Sequence, residues 1–517
     1  MLIWFLPAFL VLLMIGLPVV FGLLLAPGAL LVLDGSSRDL AILYRNLYNG
    51  IDSFPLMALP FFMLAGEIMN RGGITIRLVE FSQAIMGHLR GGLAQVNILS
   101  SILFAGLSGS AVADTSALGS TLIPAMEKNG YSRRFAAAIT AASSVIGPII
   151  PPSGIMIIYA YVMGESVAAL FLAGIVPGIL VGVGLMVMVR LMADRYDLPK
   201  AERVVHKGQT ISTTEYWVSL VLLRVTLGFL FFRIIGGFAG FFADDAPATQ
   251  AWTNLALFSA CYVSADLLLR QYRKSASYDF RITCKKAVAP LLTPVIILGG
   301  ILGGFMTPTE ASAIAVIYAL FVSFFVLNAM KVGDLPAILA RSALASSAVL
   351  LLVGAAVSFK TVVALSGAPQ ILADFILALS ENPLILLLLI NLLLFIVGMF
   401  LDAGPAIIIL GPILGPIFVD LGVHPVHFAI IMSVNLTVGL ATPPMGLVLF
   451  VASSVSGERV ETIARAILPF LAVEVLVIFL ITYFPAISMT VPYLTGFLNC
   501  GPEVAFFDCI SPAPPDG

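Results

Sequence analysis

The segment GPIIPPSG at residues 147–154 interrupts a long apolar stretch, and GLATPPMG at residues 439–446 interrupts another. Both follow the pattern G-x-x-x-P-P-x-G. Proline removes a backbone donor and clashes with the preceding turn, so a helix is expected to break at each segment. Irregular backbone at membrane depth is tolerated only where protein buries it or where it lines a cavity. The pattern therefore predicts two broken helices that expose polar backbone to a solute or ion; kinks that serve only packing are the alternative.

The composition identifies a membrane protein. Of the 517 residues, 60% are hydrophobic and 10% are charged, and the mean hydropathy is +1.08. A soluble domain carries about 25% charged residues, so no soluble fold could cover its surface with so few. Residues 1–33 lack the basic start of a signal peptide and are read as a retained helix. We expect an all-α polytopic protein with about 12 crossings and no nucleic-acid partner.

The two breaks belong to a longer internal correspondence. A shift of 292 residues, without gaps, aligns apolar runs throughout residues 92–190 with those of residues 384–482. The same shift aligns helix-breaking residues, namely Gly147, Pro151, Pro152, Gly154 and Pro177 with Gly439, Pro443, Pro444, Gly446 and Pro469. Internal repeats with broken segments at corresponding places are typical of the binding site of a secondary transporter. The sequence therefore predicts two repeats around one site.

A second unusual segment precedes each break, at residues 102–126 and 394–418. Small residues lie in the middle of both, at residues 108–110 and 402–405. We interpret each segment as a re-entrant helical hairpin with these residues at its tip. Serine and aspartate oxygens there suit a hard cation, whereas small residues alone could serve helix packing. Asp402 favours the functional interpretation, because an acidic group in a membrane segment is costly.

Five stretches carry a resemblance to a known family. They are ALPFFMLAGEIMNRGG from residue 58, LFAGLSGSAVADTSALGSTLIPAMEKNGY from residue 103, FAAAITAASSVIGPIIPPSGIMIIYA from residue 135, GGILGGFMTPTEASAIAVIYAL from residue 299, and LATPPMGLVLFVASSVSG from residue 440. They resemble the large membrane subunit, of the DctM type, of tripartite ATP-independent periplasmic (TRAP) transporters. The resemblance covers about residues 1–200 and 285–495.

The resemblance implies sodium-coupled import of an organic anion, expected to be a carboxylate, across the bacterial inner membrane. It implies no cofactor beyond sodium as the coupling ion. It also implies two partners, a small four-helix membrane subunit and a periplasmic substrate-binding protein. The implied fold has a static scaffold and a transport domain that moves as an elevator, with the two repeats expected to be inverted.

The candidate site residues follow from the tips and the breaks. The resemblance sets the first tip against residues 144–154 and the second tip against residues 435–446. The expected ion ligands are Ser108, Gly109, Ser110, Ser144, Gly147, Asp402, Gly404, Asn435, Thr437, Gly439 and Thr442, and the expected solute contacts are Pro151, Pro152, Ser153, Pro443 and Pro444.

The expected organisation has six parts. They are scaffold helices at 1–91, a first transport repeat at 92–190, a linker with an inserted helix pair at 191–286, second scaffold helices at 287–383, a second transport repeat at 384–482 and a tail at 483–517.

The inserted pair departs from the family pattern, where a short polar linker is usual. Its apolar segments lie near residues 216–242 and 252–269. Basic residues flank the pair and none lies in the connecting loop ADDAPATQ, so both flanks are expected in the cytoplasm. We predict that residues 210–275 form two membrane helices attached to the scaffold, away from the solute path. Arg224 and Arg233 in the first helix have no explanation from sequence.

Other functions fit parts of the sequence. A stand-alone ion-coupled carrier of similar fold would share the broken helices and need no binding protein. GLSG at residues 106–109 resembles the motif of an intramembrane serine protease, but that chemistry needs a general base near the serine. HPVH at residues 424–427 could bind a metal ion, whereas H-E-x-x-H and P-loop motifs are absent from the sequence.

Three smaller features complete the sequence analysis. Glu67 and Lys360 lie in apolar surroundings, and we expect each to find a polar partner at the domain boundary; snorkelling to the interface is the alternative. TPTE at residues 307–310 predicts a capping box at a helix start. Cys500 and Cys509 could form a disulfide bond or remain separate thiols.

Overall fold

The fold is helical throughout the residues that the computed structural model describes, and no strand occurs among them. The described residues are 5–33, 40–195, 198–199, 211–239, 262–264, 269, 278–366, 371, 374, 380, 382–498 and 509. In chain order the helices are α1 (Phe5–Met14), α2 (Val19–Leu33), α3 (Leu40–Ile51), α4 (Ala58–Arg71), α5 (Ile74–Met86), α6 (Gly92–Ser108), α7 (Ala111–Lys128), α8 (Arg133–Ser144), α9 (Gly154–Met163), α10 (Val167–Arg195), α11 (Thr213–Ala239), α12 (Tyr278–Leu302), α13 (Pro308–Phe321), α14 (Leu335–Leu365), α15 (Pro383–Phe400), α16 (Ala403–Asp420), α17 (Pro425–Gly439), α18 (Leu447–Ser456), α19 (Val460–Tyr483) and α20 (Ala486–Leu494).

Six helices in the described part are long and apolar enough to cross a membrane, and the pair formed by α3 and α4, bent by 57°, would make a seventh. The sequence predicted about 12 crossings plus some re-entrant pieces, whereas the described part has six or seven helices that could span a membrane. Helices α8 and α9, and likewise α17 and α18, are pieces of 10 to 15 residues on either side of a break. Each piece alone is too short to cross the hydrocarbon core.

The helix bounds follow the shift of 292 residues seen in the sequence. The shift carries α7 onto α16 at both ends, and it carries α6 onto α15 to within one residue at the start. It also places the interruption between α8 and α9 over the interruption between α17 and α18. The breaks at the two Pro-Pro pairs are therefore real features of the helical architecture.

Helices from the two shifted segments pack against each other rather than forming separate bodies. Helix α9 packs against α16, and α7 packs against α18. A side chain at Gly404 would meet Ile158 of α9, and one at Gly119 of α7 would meet Val455 of α18. Helix α19 in turn packs against α8, and α17 packs against α10. Most of the large buried core lies in this interlocked unit.

A second group of helices surrounds the long helix α14, which packs against α2, α3 and α4. Arg341 on α14 forms an ion pair with Glu67 on α4 at 3.3 Å. Lys360, also on α14, donates a hydrogen bond to the carbonyl oxygen of Val162 on α9. Both charged residues therefore have polar partners, but only the contact of Lys360 lies at the boundary between the two groups of helices; the Glu67 pair lies within the second group.

The capping box predicted at the start of α13 is confirmed. Thr307 accepts a hydrogen bond from the Glu310 amide at 3.3 Å, and the Glu310 carboxylate accepts one from the Thr307 amide at 2.7 Å. Pro308 occupies the first helical position, where its missing donor costs nothing.

The inserted segment is described in part. Helix α11 is its first predicted helix and packs against α12. The second, near residues 252–269, lies outside the described residues except for 262–264 and 269. Cys509 is disulfide-bonded, and Cys500 lies outside the described residues.

Helices α15 and α17 touch through glycine. A Cβ atom on Gly439 would lie 2.5 Å from the backbone of Gly398. Overpacking of this kind destabilises by about 1–3 kcal/mol. We therefore expect Gly439→Ala to lower the melting temperature of the purified protein, measured by thermal unfolding in detergent. Gly299→Ala in α12 is the control, since a Cβ there meets no atom within 4 Å. Equal melting temperatures for the two variants would contradict this account of the contact.

Candidate solute and cation site

A cavity of about 450 Å³ lies where both predicted hairpin tips meet the first break and helices α4 and α14. Side chains such as Phe62, Met63 and Leu352 make much of its wall apolar. Its polar groups come mainly from the two tips. The predicted site residues that line it are Ser108, Gly109, Ser110, Pro152, Asp402 and Gly404.

The first tip is built by a glycine and a serine. Gly109 ends α6 with φ at 59°, a left-handed conformation that favours glycine. Ser110 then caps α7, its hydroxyl accepting a hydrogen bond from the Ala113 amide at 3.4 Å. A Cβ atom on Gly109 would lie 2.6 Å from the carbonyl oxygen of Pro152. The tip is therefore in direct contact with the first break.

Asp114 is fully buried behind this tip. One carboxylate oxygen accepts a hydrogen bond from Ser108, and the other has no hydrogen-bond partner in the described part of the chain. That second oxygen points at Gly147, where an added Cβ would collide with it. The carbonyl oxygen of Ser144 faces the same point, 3.1 Å from that Cβ position. Carboxylate and hydroxyl oxygens thus lie beside the break, near the Ser144 carbonyl oxygen, which accepts a hydrogen bond from the Gly147 amide at 3.0 Å. Oxygen groups of these kinds are the ligands that a hard cation prefers.

Asp114 lies four residues beyond the first predicted tip and is not among the expected site residues. The argument applied to Asp402, that a carboxylate in a membrane segment is costly, applies equally to Asp114. That signal could have found it.

The rest of the first break is buried and serves local structure. Ser144 ends α8, and its hydroxyl accepts a hydrogen bond from Thr115 at 2.6 Å. Ser153 caps α9 by accepting from the Met156 amide at 3.3 Å. Pro151 and Ser153 do not line the cavity. Three residues of the first break were expected to contact solute, and Pro152 is the one among them that lines the cavity.

Asp402 forms the second tip. Its side chain caps α16 by accepting a hydrogen bond from the Ala403 amide at 2.8 Å. The residue is exposed and lines the cavity beside Gly404 and Pro405. Asp402 therefore differs from Asp114, which is sealed inside the protein.

Most of the second break lies away from the cavity. Asn435 donates to Asn391 at 2.6 Å, and its own amide oxygen is buried without a partner among the described residues. The hydroxyls of Thr437 and Thr442 bond to carbonyls of the preceding turn, and Gly439 contacts α15. The residues of this break that do not line the cavity are Asn435, Thr437, Gly439, Thr442, Pro443 and Pro444; Leu440 does. The expected solute contacts Pro443 and Pro444 are not brought there, because this turn carries them outward and exposes Pro444.

Buried polar contacts hold α6 and α15, the first helix of each predicted hairpin, to the adjacent broken helix. In the first half, Ser143 donates to Asn97 at 3.2 Å, joining α8 to α6. In the second half, Asn435 stands where the shift places Ser143 and bonds to Asn391, joining α17 to α15. The polar residues of these helices thus fix the position of each arm.

The histidines of HPVH have structural partners. His424 caps α17, accepting from the Val426 amide at 3.2 Å. The ring nitrogens of His427 lie 2.8 Å from the Ser488 hydroxyl and 3.3 Å from the Thr482 carbonyl oxygen. Within the described ranges, no group of three or more metal-ligating side chains occurs. Both histidine side chains therefore serve the helical structure through hydrogen bonds.

Comparison with known proteins decides the family. The model of the tripartite ATP-independent periplasmic transporter, DctM component, matches residues 6–264 and 241–487. The chain belongs to the DctM family. A sialic acid TRAP transporter large permease protein, SiaM of Vibrio cholerae, is 36% identical over 95% of this chain and 97% of its own length. A C4-dicarboxylate large permease, DctM of Pseudomonas aeruginosa, is 35% identical over 91% of this chain and 93% of its own.

A solved structure supports the fold alone. The crystal structure of the Alcanivorax borkumensis YdaH transporter matches with a TM-score of 0.54 and 17% identity, over 87% of this chain and 89% of that one. As a DctM subunit, the chain is a multi-pass protein of the bacterial inner membrane that takes part in secondary transport of organic acids. It is a transporter permease and not an enzyme, so the protease interpretation of GLSG is wrong.

The close approach of Gly147 to Asp114 makes a prediction about activity. In Gly147→Ala the new methyl group would displace the Asp114 carboxylate. Disturbing the surroundings of a metal ligand typically costs about 10- to 100-fold in affinity or activity. We expect a loss of that order in uptake by reconstituted vesicles, at unchanged protein amount in the membrane. Gly333→Ala is the control, because a Cβ there meets nothing within 4 Å. Full uptake activity in Gly147→Ala would show that the contact between residue 147 and the Asp114 carboxylate has no role in transport.

Proposed function

We propose that this DctM subunit couples the inward movement of sodium to the import of an organic anion, specifically a carboxylate. The observation that carries the proposal is the buried Asp114 oxygen without a hydrogen-bond partner among the described residues, next to a helix break and a hairpin tip. A buried, unsatisfied carboxylate is strongly unfavourable unless a cation or proton neutralises it. A binding site for a coupling cation resolves that cost.

The first sodium site is proposed at Asp114, with Ser108, Ser110, Ser144 and Gly147 around it. Asp114 and Ser108 supply side-chain oxygens, and the broken backbone between α8 and α9 supplies carbonyl oxygens. Since Ser108 and Ser110 also line the cavity, a bound ion would fix the tip against the break and shape the solute site.

The second sodium site is proposed at the second tip and break. Asp402 keeps one carboxylate oxygen free of hydrogen bonds among the described residues. Gly404, two residues further along, lines the same cavity without a side chain. The ligands proposed from the facing break are carbonyl oxygens and the Asn435 amide oxygen, which is buried without a partner within the described ranges. The break residues concerned are Asn435, Thr437, Gly439 and Thr442.

The solute is proposed to bind in the cavity between the tips and helices α4 and α14. Helices α7 and α16 begin at the two tips, and helix N-termini carry a partial positive charge that attracts carboxylates. The two relatives are named for the transport of sialic acid and of C4-dicarboxylates, and both of these solutes carry carboxylate groups. Pro152 and the first tip are the proposed contacts.

An elevator motion is proposed to carry this site across the membrane. The moving body would comprise two inverted repeats, at residues 92–190 and 384–482, each with a re-entrant hairpin and a broken helix. Residues 1–91 and 287–383 would form the scaffold. The interlocked packing of α7 with α18 and α9 with α16 supports one moving body. The Lys360 contact to Val162 would then cross the sliding boundary and be broken in the motion.

The proposed partners are a small four-helix membrane subunit and a periplasmic substrate-binding protein, which would select the solute. The family description, tripartite and periplasmic, supports this assembly. A stand-alone carrier of similar fold remains the alternative, and no feature of the cavity favours it.

Sodium dependence is the first test of the proposal. Vesicles reconstituted with this subunit and its two partners should accumulate solute only under an inward sodium gradient. Replacing external sodium by choline at fixed pH should abolish uptake, because the cation sites would stay empty. Equal uptake in choline would contradict sodium coupling, while a proton gradient that restores uptake would assign coupling to protons.

The role of Asp402 gives a second prediction. Asp402→Asn keeps an oxygen to cap α16 and removes the charge, so helix structure should persist. We expect a higher sodium concentration for half-maximal uptake, by about tenfold if one charged ligand is lost. Asp420→Asn at the far end of the same helix is the matched control. Sodium activation unchanged from wild type in a well-expressed Asp402→Asn variant would exclude Asp402 from the site.

Dependence on the binding protein separates the proposal from the stand-alone carrier. Uptake should be lost when the binding protein alone is omitted from the external medium and should return when it is added back. Undiminished uptake without it would support the stand-alone alternative.

A further inference from the structure

The first turns of α11 and α12 carry a patch of cationic and aromatic side chains that the transport site does not use. We call it the interfacial patch; it consists of Tyr216, Trp217, Tyr278, Arg281 and Lys285. The Lys285 ammonium lies 3.5 Å from the centre of the Tyr216 ring. The Arg281 guanidinium lies 5.8 Å from the centre of the Tyr278 ring. Both distances are typical of cation–π contact.

An inner layer of charges joins α11 to the helices behind it. Glu215 of α11 forms an ion pair with Arg77 of α5 at 3.5 Å, and Arg77 also pairs with Glu80 at 3.4 Å. Lys286 of α12 is buried close enough to Glu215 for the two charges to interact. The starts of α11 and α12 therefore lie side by side, on the same side of the membrane.

The two outer cations lack such partners. Among the described residues, neither Arg281 nor Lys285 pairs with a carboxylate, and each lies over an aromatic ring. The Nε atom of Arg281 is buried with no hydrogen-bond acceptor in the described part of the chain. Residues four apart lie on one helix face, so the two cations point to the same region.

The patch lies at the level of a membrane surface. Trp217 is 59% exposed and Tyr278 is 66% exposed, as expected for aromatic side chains among lipid headgroups. Val221 and Val225, one and two turns further along α11, are exposed and apolar. The basic flanks of the inserted segment place this end of α11 at the cytoplasmic face. Cationic groups thus sit directly above an apolar helix face.

We propose that the interfacial patch binds the phosphate headgroup of an anionic phospholipid of the inner leaflet. Arg281 and Lys285 contact the phosphate, and acyl chains lie along the valine face of α11. Basic clusters at the cytoplasmic side of membrane helices recognise anionic headgroups in this way. The inserted segment thereby anchors this helix group to the bilayer by attraction between its two cations and an anionic headgroup. A zwitterionic lipid, which has no net charge, would bind the two cations less tightly.

The test uses the full-length protein in nanodiscs of phosphatidylcholine with increasing phosphatidylglycerol. Thermal unfolding, and native mass spectrometry of lipid adducts, give an apparent affinity for phosphatidylglycerol. Each basic side chain near an anionic surface contributes about fivefold in affinity, so Arg281→Gln with Lys285→Gln should weaken binding about 25-fold. The charge-preserving pair Arg281→Lys with Lys285→Arg should stay within about fivefold of wild type. Lys128→Gln, at an exposed position on α7, should bind as wild type does.

Three outcomes would overturn the proposal. They are equal phosphatidylglycerol affinity in wild type and the double glutamine variant, equal stabilisation by phosphatidylcholine alone, and full competition by millimolar inorganic phosphate. The last would assign the patch to a free anion. If the double glutamine variant does not fold, the single variants provide the same comparison, with about fivefold expected for each.

Discussion

A backbone that crosses a bilayer must satisfy its own hydrogen bonds, and the two Pro-Pro segments break that rule within this chain. The packing of helices around the breaks must therefore bury this backbone or place it beside a cavity. The first break is buried against α6, the first tip and α10, so its irregular backbone meets protein, whereas the turn of the second break exposes Pro444. At the first break the enclosure is close enough that Gly109 abuts the Pro152 carbonyl. The first break thus places polar backbone in direct contact with the first tip.

The two shifted segments share their helix bounds but place different polar groups at corresponding positions. The first half seals a carboxylate, Asp114, behind its tip and lets hydroxyl groups line the cavity. The second half exposes its carboxylate, Asp402, at the tip itself, and buries an amide pair, Asn391 and Asn435, in the place of the smaller Ser143 contact. Equal helix bounds therefore do not imply equal sites. Asp114 is closed to solvent, whereas Asp402 faces the cavity.

Much of the fold could be predicted from sequence, because proline and glycine act through the backbone. The shift of 292 residues aligned the breaks, and the helix bounds of α7 and α16 follow it. Side-chain direction around a break was not predictable, since the turn there has no fixed period. For that reason the outward placement of Pro443 and Pro444 was missed. Asp114 was omitted although a carboxylate in a membrane segment is costly; its burial, and its oxygen without a hydrogen-bond partner among the described residues, are visible only in the structure.

Sodium binding to the purified protein tests the central claim most directly. Equilibrium binding of radioactive sodium, without solute or gradient, should be saturable and approach two ions per chain. Asp114→Asn should remove one of them and leave the other, because the amide keeps the hydrogen-bonding shape but not the charge. Absence of saturable binding, or the same two ions in Asp114→Asn, would contradict a cation site built from the first helix break.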